Sequence, residues 1–250
     1  MIKYYIPCYD KCELISLNFY QRVFAIGDIH GMFSLLKSLI QKLEVEADLC
    51  EADSLVFIGD YIDRGTNSKE VIDYCLELKE KYHCVFLKGN HEDMFIDLLN
   101  NGGIYCGDSI YNGGIDTLAS YGIHYYLNYE AEIDFLPTTH QSFFSDLVSC
   151  AKWGNYFFVH AGLDPKREIE DQEYSFKSRS DLMFDENTCL WIRDEFIHST
   201  EDFGFTVIYG HTPSLCVTFD LPYKIGIDTK AFESGKLSAI ELPSYQIFST

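Results

Sequence analysis

Five short apolar runs, each followed by glycine or histidine and a polar side chain, recur along the chain. They are Arg22–Ile26, Ser54–Ile58, Cys84–Leu87, Tyr156–Val159 and Thr206–Tyr209. Continuous apolar runs of this length are typical of strands buried on both faces. They therefore predict five buried strands, and the runs Tyr223–Ile227 and Lys236–Leu242 predict the last strands of the chain.

Helical patterns separate the first three runs. Apolar residues recur with helical spacing from Met32 to Leu43, as on a helix with one buried face. The pattern also predicts helices over Asn67 to Lys81 and Glu92 to Leu99. Alternating strands and helices indicate a layered α/β fold, in which ligands bind beyond the carboxyl ends of the strands. The length of 250 residues suits one domain spanning residues 1–250.

Three segments depart from this alternation. Residues 101–150 contain two glycine pairs and two helical stretches, Ile115–Ser120 and Thr139–Cys150, and predict a helical insertion beside the strand ends. Residues 164–187 are polar and acid-rich and predict a long surface loop, a kind of segment that often serves function. The first 21 residues have no clear pattern, and an added edge strand is one alternative.

Charge and cysteine content limit the classes of partner and compartment. The formal net charge is −20, from 39 acidic and 19 basic residues, so we expect neither nucleic acid nor a membrane surface as a partner. No apolar run reaches the ~18 residues that span a bilayer, and the start of the chain lacks a signal-peptide pattern. Nine cysteines without a C-x-x-C pair favour reduced thiols in a cytoplasmic protein.

The residues after the runs are types that bind metal ions. Gly27-Asp28-Ile29-His30-Gly31 places a carboxylate and an imidazole two residues apart. Asp60 follows the second run in the equivalent position, and two facing carboxylates repel each other unless a cation lies between them. Carboxylate, amide and imidazole without thiolate suit manganese, iron or zinc better than magnesium. A capping Asp and a surface His are the structural alternative for the first motif.

The remaining motifs add further candidate groups. Gly89-Asn90-His91-Glu92 supplies an amide and an imidazole, and His160 and His211 follow the last two runs. Arg64 offers a planar fork suited to phosphate oxygens, although a local salt bridge with Asp63 is the alternative. Four histidines lack a strand-end context and are assigned no role: His83, His124, His140 and His198.

The ordered set GDIHG, GDYIDRG, GNHE, HAG and GHT resembles the signature of the phosphoprotein phosphatase family of calcineurin-like metallophosphoesterases. The stretches NGGIDTLASYG (112–122), LWIRDEF (190–196) and IDTKAFESGKLSAIEL (227–242) resemble its bacterial and bacteriophage serine/threonine phosphatase branch. The resemblance runs from about Arg22 to Leu242. It implies a metallophosphoesterase-type fold, with central mixed β-sheets flanked by helices, and two divalent metal ions. We expect Mn²⁺, with Fe or Zn as alternatives.

The resemblance also implies roles for individual residues. The implied metal ligands are Asp28, His30, Asp60, Asn90, His160 and His211. Asp60 would be shared between the two ions. The implied catalytic residues are His91 as general acid, Asp63 as its orienting partner, and Arg64 and Arg193 as phosphate-binding groups. Two departures from the branch are Lys230, where glycine is usual, and Glu233-Ser234, where small residues are common.

The expected reaction is hydrolysis of phosphomonoesters by a hydroxide that bridges the two metal ions, in one step and with inversion at phosphorus. The expected substrate is a phosphoprotein or a small phosphoester. Symmetrical hydrolysis of diadenosine tetraphosphate is the alternative, because the two activities share the core motifs. A catalytically inactive binding module should have lost a ligand or the general acid, and this sequence retains all of them.

Overall fold

A computed structural model describes residues 14–17, 22–101, 109–123, 136–167 and 186–250. In chain order its strands are β1 (Leu14–Ser16), β2 (Val23–Ile26), β3 (Ser54–Phe57), β4 (His83–Phe86), β5 (Cys150–Trp153), β6 (Tyr156–Val159), β7 (Thr206–Tyr209), β8 (Thr218–Asp220), β9 (Lys224–Gly226), β10 (Ser238–Leu242) and β11 (Ile247–Ser249). The helices are α1 (Phe33–Glu46), α2 (Ser68–Lys81), α3 (Asn90–Asn101), α4 (Ile115–Ser120), α5 (Thr138–Ser145), α6 (Glu186–Trp191), α7 (Asp194–Ile197) and α8 (Ala231–Ser234). A π-helical turn over Ile110–Gly114 precedes α4.

The strands form two mixed sheets. In the five-stranded sheet the order is β11-β10-β2-β3-β4, and β2, β3 and β4 run parallel. In the six-stranded sheet the order is β1-β5-β6-β7-β9-β8, and β6, β7 and β9 run parallel. Two mixed sheets flanked by helices confirm the predicted fold class.

Each sheet is buried on both faces because it lies between the other sheet and a layer of helices. Val56 and Ile208 belong to the apolar layer between the sheets. On the outer side of the five-stranded sheet, Phe57 packs in one core with Ile72 of α2. Phe196 of α7 helps to cover the outer side of the six-stranded sheet. This double burial explains why the strands read as continuous apolar runs rather than as alternating patterns.

The three helices predicted between the first strands are confirmed. The apolar stripe of α1 is its buried face, formed by Leu36, Leu39, Ile40 and Leu43. In α2, Glu70 lies in the first turn and Lys79 and Lys81 lie in the last, where each charge interacts favourably with the helix dipole. Among the described helices, none combines the length and the apolar character needed to cross a bilayer.

The predicted helix Thr139–Cys150 is wrong beyond Ser145. The helix α5 ends there, and Cys150 begins β5 instead. β5 pairs antiparallel with β6 in a register that runs from Cys150 opposite Val159 to Trp153 opposite Tyr156. A short apolar stretch is compatible with either a helix or a strand. Here the stretch forms a strand because it pairs with β6 across a tight turn.

The irregular segments are described in part. β1 is an edge strand paired in parallel with β5, in agreement with the edge-strand alternative for the N-terminal residues. Residues 1–13 and 18–21 lie outside the described residues, as do 102–108 and 124–135 of the predicted insertion and 168–185 of the predicted loop. The predicted helix Ile115–Ser120 is confirmed as α4.

Candidate metal centre and active site

The predicted metal ligands lie at the carboxyl ends of parallel strands. From the five-stranded sheet, β2 leads to Asp28, β3 leads to Asp60, and β4 leads to Asn90 at the start of α3. From the six-stranded sheet, β6 leads to His160 and β7 leads to His211. All five side chains are buried, and the contacts below join them into one cluster.

One group of candidate ligands surrounds the carboxylate of Asp60. Ligand-type atoms of His30, Asp60 and His91 lie within 4.8 Å of one another. The Nε2 atom of His30 lies 3.4 Å from Oδ2 of Asp60. Its Nδ1 atom lies 3.0 Å from the carbonyl oxygen of Ile62, an acceptor that directs the proton to Nδ1 and the lone pair of Nε2 toward Asp60. Burial lowers the pKa of His30 to about 3, so the ring is a neutral potential ligand.

A second group shares Asp60 with the first. Ligand-type atoms of Asp60, His160 and His211 lie within 4.8 Å of one another. The side-chain oxygen of Asn90 lies 3.0 Å from both Nε2 of His160 and Nδ1 of His211. Burial lowers the pKa of His160 and lowers that of His211 to about 3. Two sets of donors with one common carboxylate are the arrangement that a pair of metal ions requires.

The surroundings of Asp28 are suited to a bound cation. Its Oδ2 atom accepts a hydrogen bond of 2.9 Å from the backbone N–H of His211, but the buried Oδ1 atom has no hydrogen-bond partner. Burial, followed by the charges of Asp228 and Asp60, raises the pKa of Asp28. A buried carboxylate with an unsatisfied oxygen is costly unless a positive charge compensates it. A divalent ion in contact with Oδ1 would supply that charge.

His91 is held differently from the other three strand-end histidines. Its Nδ1 atom lies 2.7 Å from Oδ2 of Asp63, and its Nε2 atom lies 3.2 Å from Nη2 of Arg64. Burial disfavours protonation of His91, but the carboxylates of Asp60 and Asp63 outweigh that effect and raise its pKa. The ring is therefore poised to carry a proton, whereas the other site histidines are not.

Arg193 contacts the histidine that follows β7. It directly precedes α7, and its Nε atom donates a hydrogen bond of 3.0 Å to Nε2 of His211. Arg64 follows β3 and contacts His91. The structure thus brings together all ten predicted site residues, with Arg64 beside His91, which follows β4 of the five-stranded sheet, and Arg193 beside His211, which follows β7 of the six-stranded sheet.

Several site residues have a left-handed backbone conformation, which is uncommon and costly for residues other than glycine. The angle φ is 49° for His30, 52° for Asp60, 69° for Asp63, 67° for Arg64 and 60° for His211. Glu92, buried at the start of α3, stabilises part of this backbone. Its carboxylate accepts hydrogen bonds from the N–H groups of Asp60, Tyr61 and Gly89 at 2.9, 2.8 and 3.0 Å.

Sequence reasoning missed four residues that support the site. Glu92 is the first. Thr117 of α4 donates a hydrogen bond of 2.5 Å to Oδ1 of Asp63. Asp228 follows β9, and burial raises its pKa to about 6. The ring of Phe232 lies over the guanidinium of Arg64. Only Asp228 carried a usable signal, because it follows a predicted strand as the other carboxylates do; the remaining three act through contacts between distant segments.

The insertion contacts the site at two residues, Thr117 and Gly113. Gly113 has φ of 104°, and a Cβ atom at this position would collide with the backbone nitrogen of Arg64. Only glycine therefore allows the π-helical turn to approach the Asp63-Arg64 backbone so closely.

One histidine without a predicted role is structural. His140 is buried, with Nε2 2.9 Å from Oδ1 of Asp73 in α2 and Nδ1 2.7 Å from the hydroxyl of Tyr121. It joins α5 to α2 and to the end of α4, away from the metal-ligand groups. His124 lies outside the described residues.

A sandwich of two mixed sheets, with two buried donor groups that share a carboxylate and two arginines beside them, defines the metal-dependent phosphoesterase class. The sequence profile of the family described as calcineurin-like phosphoesterase matches residues 21–232. The chain belongs to this family and is accordingly a phosphoester hydrolase with a dinuclear metal centre.

Similar proteins cover nearly the whole chain. Serine/threonine-protein phosphatase 2 of Salmonella typhimurium is 27% identical over 237 residues, which are 91% of this chain and 96% of that protein. The structure of a putative diadenosine tetraphosphatase matches with a TM-score of 0.62 and 22% identity, over 95% of this chain and 96% of that chain. A Saccharomyces cerevisiae serine/threonine phosphatase with similarity to human PP5 matches with a TM-score of 0.61 and 17% identity, over 94% of this chain and 82% of that chain. The two structural likenesses support the fold.

Proposed function

We propose that this chain is a metal-dependent serine/threonine protein phosphatase that hydrolyses phosphomonoesters without a covalent phosphoenzyme. The His91–Asp63 pair beside the two ligand groups is the observation that carries the reaction type, because it supplies an acid for the leaving group and no nucleophilic side chain is required. The relative from Salmonella typhimurium, which aligns with almost its whole length, supports the substrate class.

The proposed ligand sets are those that the family resemblance implies, and the buried donors clustered around Asp60 support them. Asp28, His30 and Asp60 would hold one ion, and Asp60 with Asn90, His160 and His211 would hold the other. When bound, two divalent ions supply activation of water and compensation of the charge on the phosphoryl group. The mixture of carboxylate, amide and imidazole favours Mn²⁺, with Fe or Zn as alternatives.

His91 has the geometry of a general acid. Asp63 engages Nδ1 at 2.7 Å, which leaves Nε2, 3.2 Å from Nη2 of Arg64, as the nitrogen that would deliver a proton to the leaving group. The carboxylates of Asp60 and Asp63 raise the pKa of His91 and so favour the protonated ring, from which a proton would pass to the alkoxide of the departing serine or threonine. General acid catalysis of this kind typically contributes about 10²–10⁴-fold in rate.

Arg64 and Arg193 would bind the phosphate from two sides. Arg64 lies next to the proposed acid His91, and Arg193 lies next to His211. Planar guanidinium groups offer paired donors to phosphate oxygens, and they stabilise the charge that develops during transfer. Direct transfer to water predicts inversion at phosphorus, whereas retention or a trapped phosphoenzyme would contradict the mechanism.

A substrate panel tests the proposal. Protein loaded with Mn²⁺ is assayed with a phosphoserine or phosphothreonine peptide and, separately, with diadenosine tetraphosphate. We expect turnover of the peptide that is abolished by chelation and by Asp60→Asn, which replaces the shared carboxylate with a neutral amide. Turnover of diadenosine tetraphosphate alone would overturn the protein phosphatase assignment in favour of the dinucleotide hydrolase.

The cytoplasmic location stays a prediction from the cysteine pattern. Cys75 and Cys84 are free thiols. Burial raises the pKa of Cys75 and raises that of Cys84 to about 12, which keeps both thiols protonated and unreactive.

A further inference from the structure

The ring of Phe232 contacts two residues of the proposed active site. The guanidinium carbon of Arg64 lies 4.7 Å from its centroid, inside the ~6 Å range of a cation–π interaction. The same ring meets His30 edge-on, with centroids 5.6 Å apart and planes at 80°. Phe232 is half-buried, so it forms part of the wall at the rim of the site.

A short backbone motif fixes the position of this ring. The carboxylate of Asp228 accepts a hydrogen bond of 2.9 Å from the N–H of Lys230. Lys230 has φ of 59°, and its carbonyl oxygen accepts hydrogen bonds of 2.9 and 2.8 Å from the N–H groups of Glu233 and Ser234. The turn that starts α8 therefore sets the direction of Phe232, the second residue of the helix.

Arg64 is restrained through its backbone rather than by an ion pair of its side chain. Its φ of 67° and the close approach of Gly113 hold the main chain. Within the described part of the chain, the guanidinium contacts the rings of His91 and Phe232, and no carboxylate lies within ion-pair distance. A carboxylate partner would neutralise the group before phosphate arrived. An aromatic face attracts the cation and leaves its N–H donors available.

We propose that Phe232 is a positioning residue for Arg64, holding the guanidinium so that its donors face the phosphate. The inference rests on the proposed function, because it takes Arg64 as a phosphate-binding group. Phe232 itself does not touch the reacting atoms, and its effect passes through Arg64.

Phe232→Ala tests the proposal with p-nitrophenyl phosphate and Mn²⁺. We expect kcat/KM to fall about 2- to 30-fold, the range that corresponds to loss of a cation–π contact, with most of the change in KM. The inhibition constant of inorganic phosphate should rise by a similar factor, since phosphate binding uses the same guanidinium. Phe232→Tyr should retain near wild-type values, whereas Phe232→Leu, which is apolar but has no π face, should behave like the alanine variant.

The double variant with Arg64→Ala separates positioning from general support. If Phe232 acts through Arg64, Phe232→Ala causes no further loss in the Arg64→Ala background. Phe219→Ala is the matched control, because Phe219 is a partly exposed aromatic on β8 and lies against Tyr245. We expect it to leave KM and phosphate inhibition unchanged. Circular dichroism and metal content check that each variant is folded and loaded.

Two results would overturn the inference. One is a Phe232→Leu variant with wild-type KM and phosphate affinity, which would assign the ring to simple packing. The other is an equal loss from Phe232→Ala with and without Arg64. A wild-type protein that hydrolyses no phosphomonoester would instead overturn the proposed function, which keeps the two failures distinct.

Discussion

At the scale of single residues, the site is distinguished by how each histidine is partnered. His30 and His160 direct Nδ1 to backbone carbonyl oxygens, and burial lowers their pKa values. His91 directs Nδ1 to the carboxylate of Asp63, and its pKa is raised. The acceptor that each ring contacts thus supports the two proposed roles, neutral ligand for His30 and His160 and protonated acid for His91.

The His91 assignment predicts a loss that depends on the leaving group. His91→Asn should lower kcat on a phosphoserine peptide by about 10²–10⁴-fold. The loss should be much smaller with p-nitrophenyl phosphate, because p-nitrophenolate departs without a proton. Asp63→Asn should act in the same direction and add little to His91→Asn, since the two residues work as a pair.

The exposed histidine at position 198 supplies the matched control. His198→Asn should leave kcat unchanged on both substrates. Equal losses on the peptide and on p-nitrophenyl phosphate after His91→Asn would show that His91 does not protonate the leaving group.

Lys230 and Glu233, both departures from the related branch, are explained together by the structure. Lys230 adopts a left-handed backbone conformation, which glycine adopts more readily than other residues. The hydrogen bond from its N–H to Asp228 compensates part of the conformational cost. Its ammonium group lies 3.6 Å from the carboxylate of Glu233, although an exposed ion pair contributes at most about 1 kcal/mol.

At the scale of secondary-structure elements, the insertion is attached to the core by polar contacts as well as by apolar packing. His140 of α5 contacts Asp73 of α2 and the hydroxyl of Tyr121, which follows α4. Thr117 of α4 contacts Asp63. Movement of these helices would therefore disturb Asp63, whose carboxylate lies 2.7 Å from Nδ1 of His91.

His140→Ala should lower the free energy of unfolding by about 1–3 kcal/mol, because it leaves the Tyr121 hydroxyl without its partner and opens a cavity. Burial lowers the pKa of His140, so below about pH 6.5 the unfolded chain binds the proton more readily than the folded one. The stabilisation from His140 is thus complete above that pH and decreases as pH falls.

Urea unfolding at pH 7.5 and pH 5.5 measures both effects. The difference in unfolding free energy between wild type and His140→Ala should be smaller at the lower pH. His198→Ala, at an exposed position, should change stability by less than about 0.5 kcal/mol. A difference that stays constant or widens on acidification would contradict the role of a buried neutral His140.

At the scale of the whole molecule, the two sheets bring their parallel strand ends to one site. Asp28, Asp60 and Asn90 come from one sheet, and His160 and His211 come from the other. Ions held between them would connect the two layers of the sandwich. The cost of burying the carboxylates of Asp28 and Asp60 side by side would then be offset by the metal charge.

Metal removal should therefore destabilise the folded protein. An ion at 100 times its Kd stabilises by about 2.7 kcal/mol, so chelation should lower Tm by about 5–10 °C for a chain of this size. The measurement is calorimetry with Mn²⁺ and with chelator. Asp60→Asn should have a Tm that barely responds to either condition, and a wild-type Tm independent of metal would contradict the proposed ligand set.

Much of this architecture was predictable because strand-end motifs are local. Arg22–Ile26 and the runs after it have the apolar continuity of doubly buried strands, and each ligand is adjacent in sequence to the strand that positions it. The helix-to-strand change at Cys150 was not predictable, because the apolar spacing permits both structures and only pairing with β6 distinguishes them. Glu92, Thr117 and Phe232 were missed because their contacts with Asp60, Asp63 and Arg64 join segments 32 to 168 residues apart.

The sequence alone determined the layered α/β fold, the candidate ligands and the family. These depend on local pattern and on motif order, both of which are written along the chain. Only the tertiary structure decided that Glu92 holds the backbone of Asp60 and Tyr61, that Thr117 contacts Asp63, and that Phe232 lies over Arg64. Those contacts depend on which strand ends and turns come together when the two sheets pack. The spacing of residues along the chain does not determine which segments become neighbours.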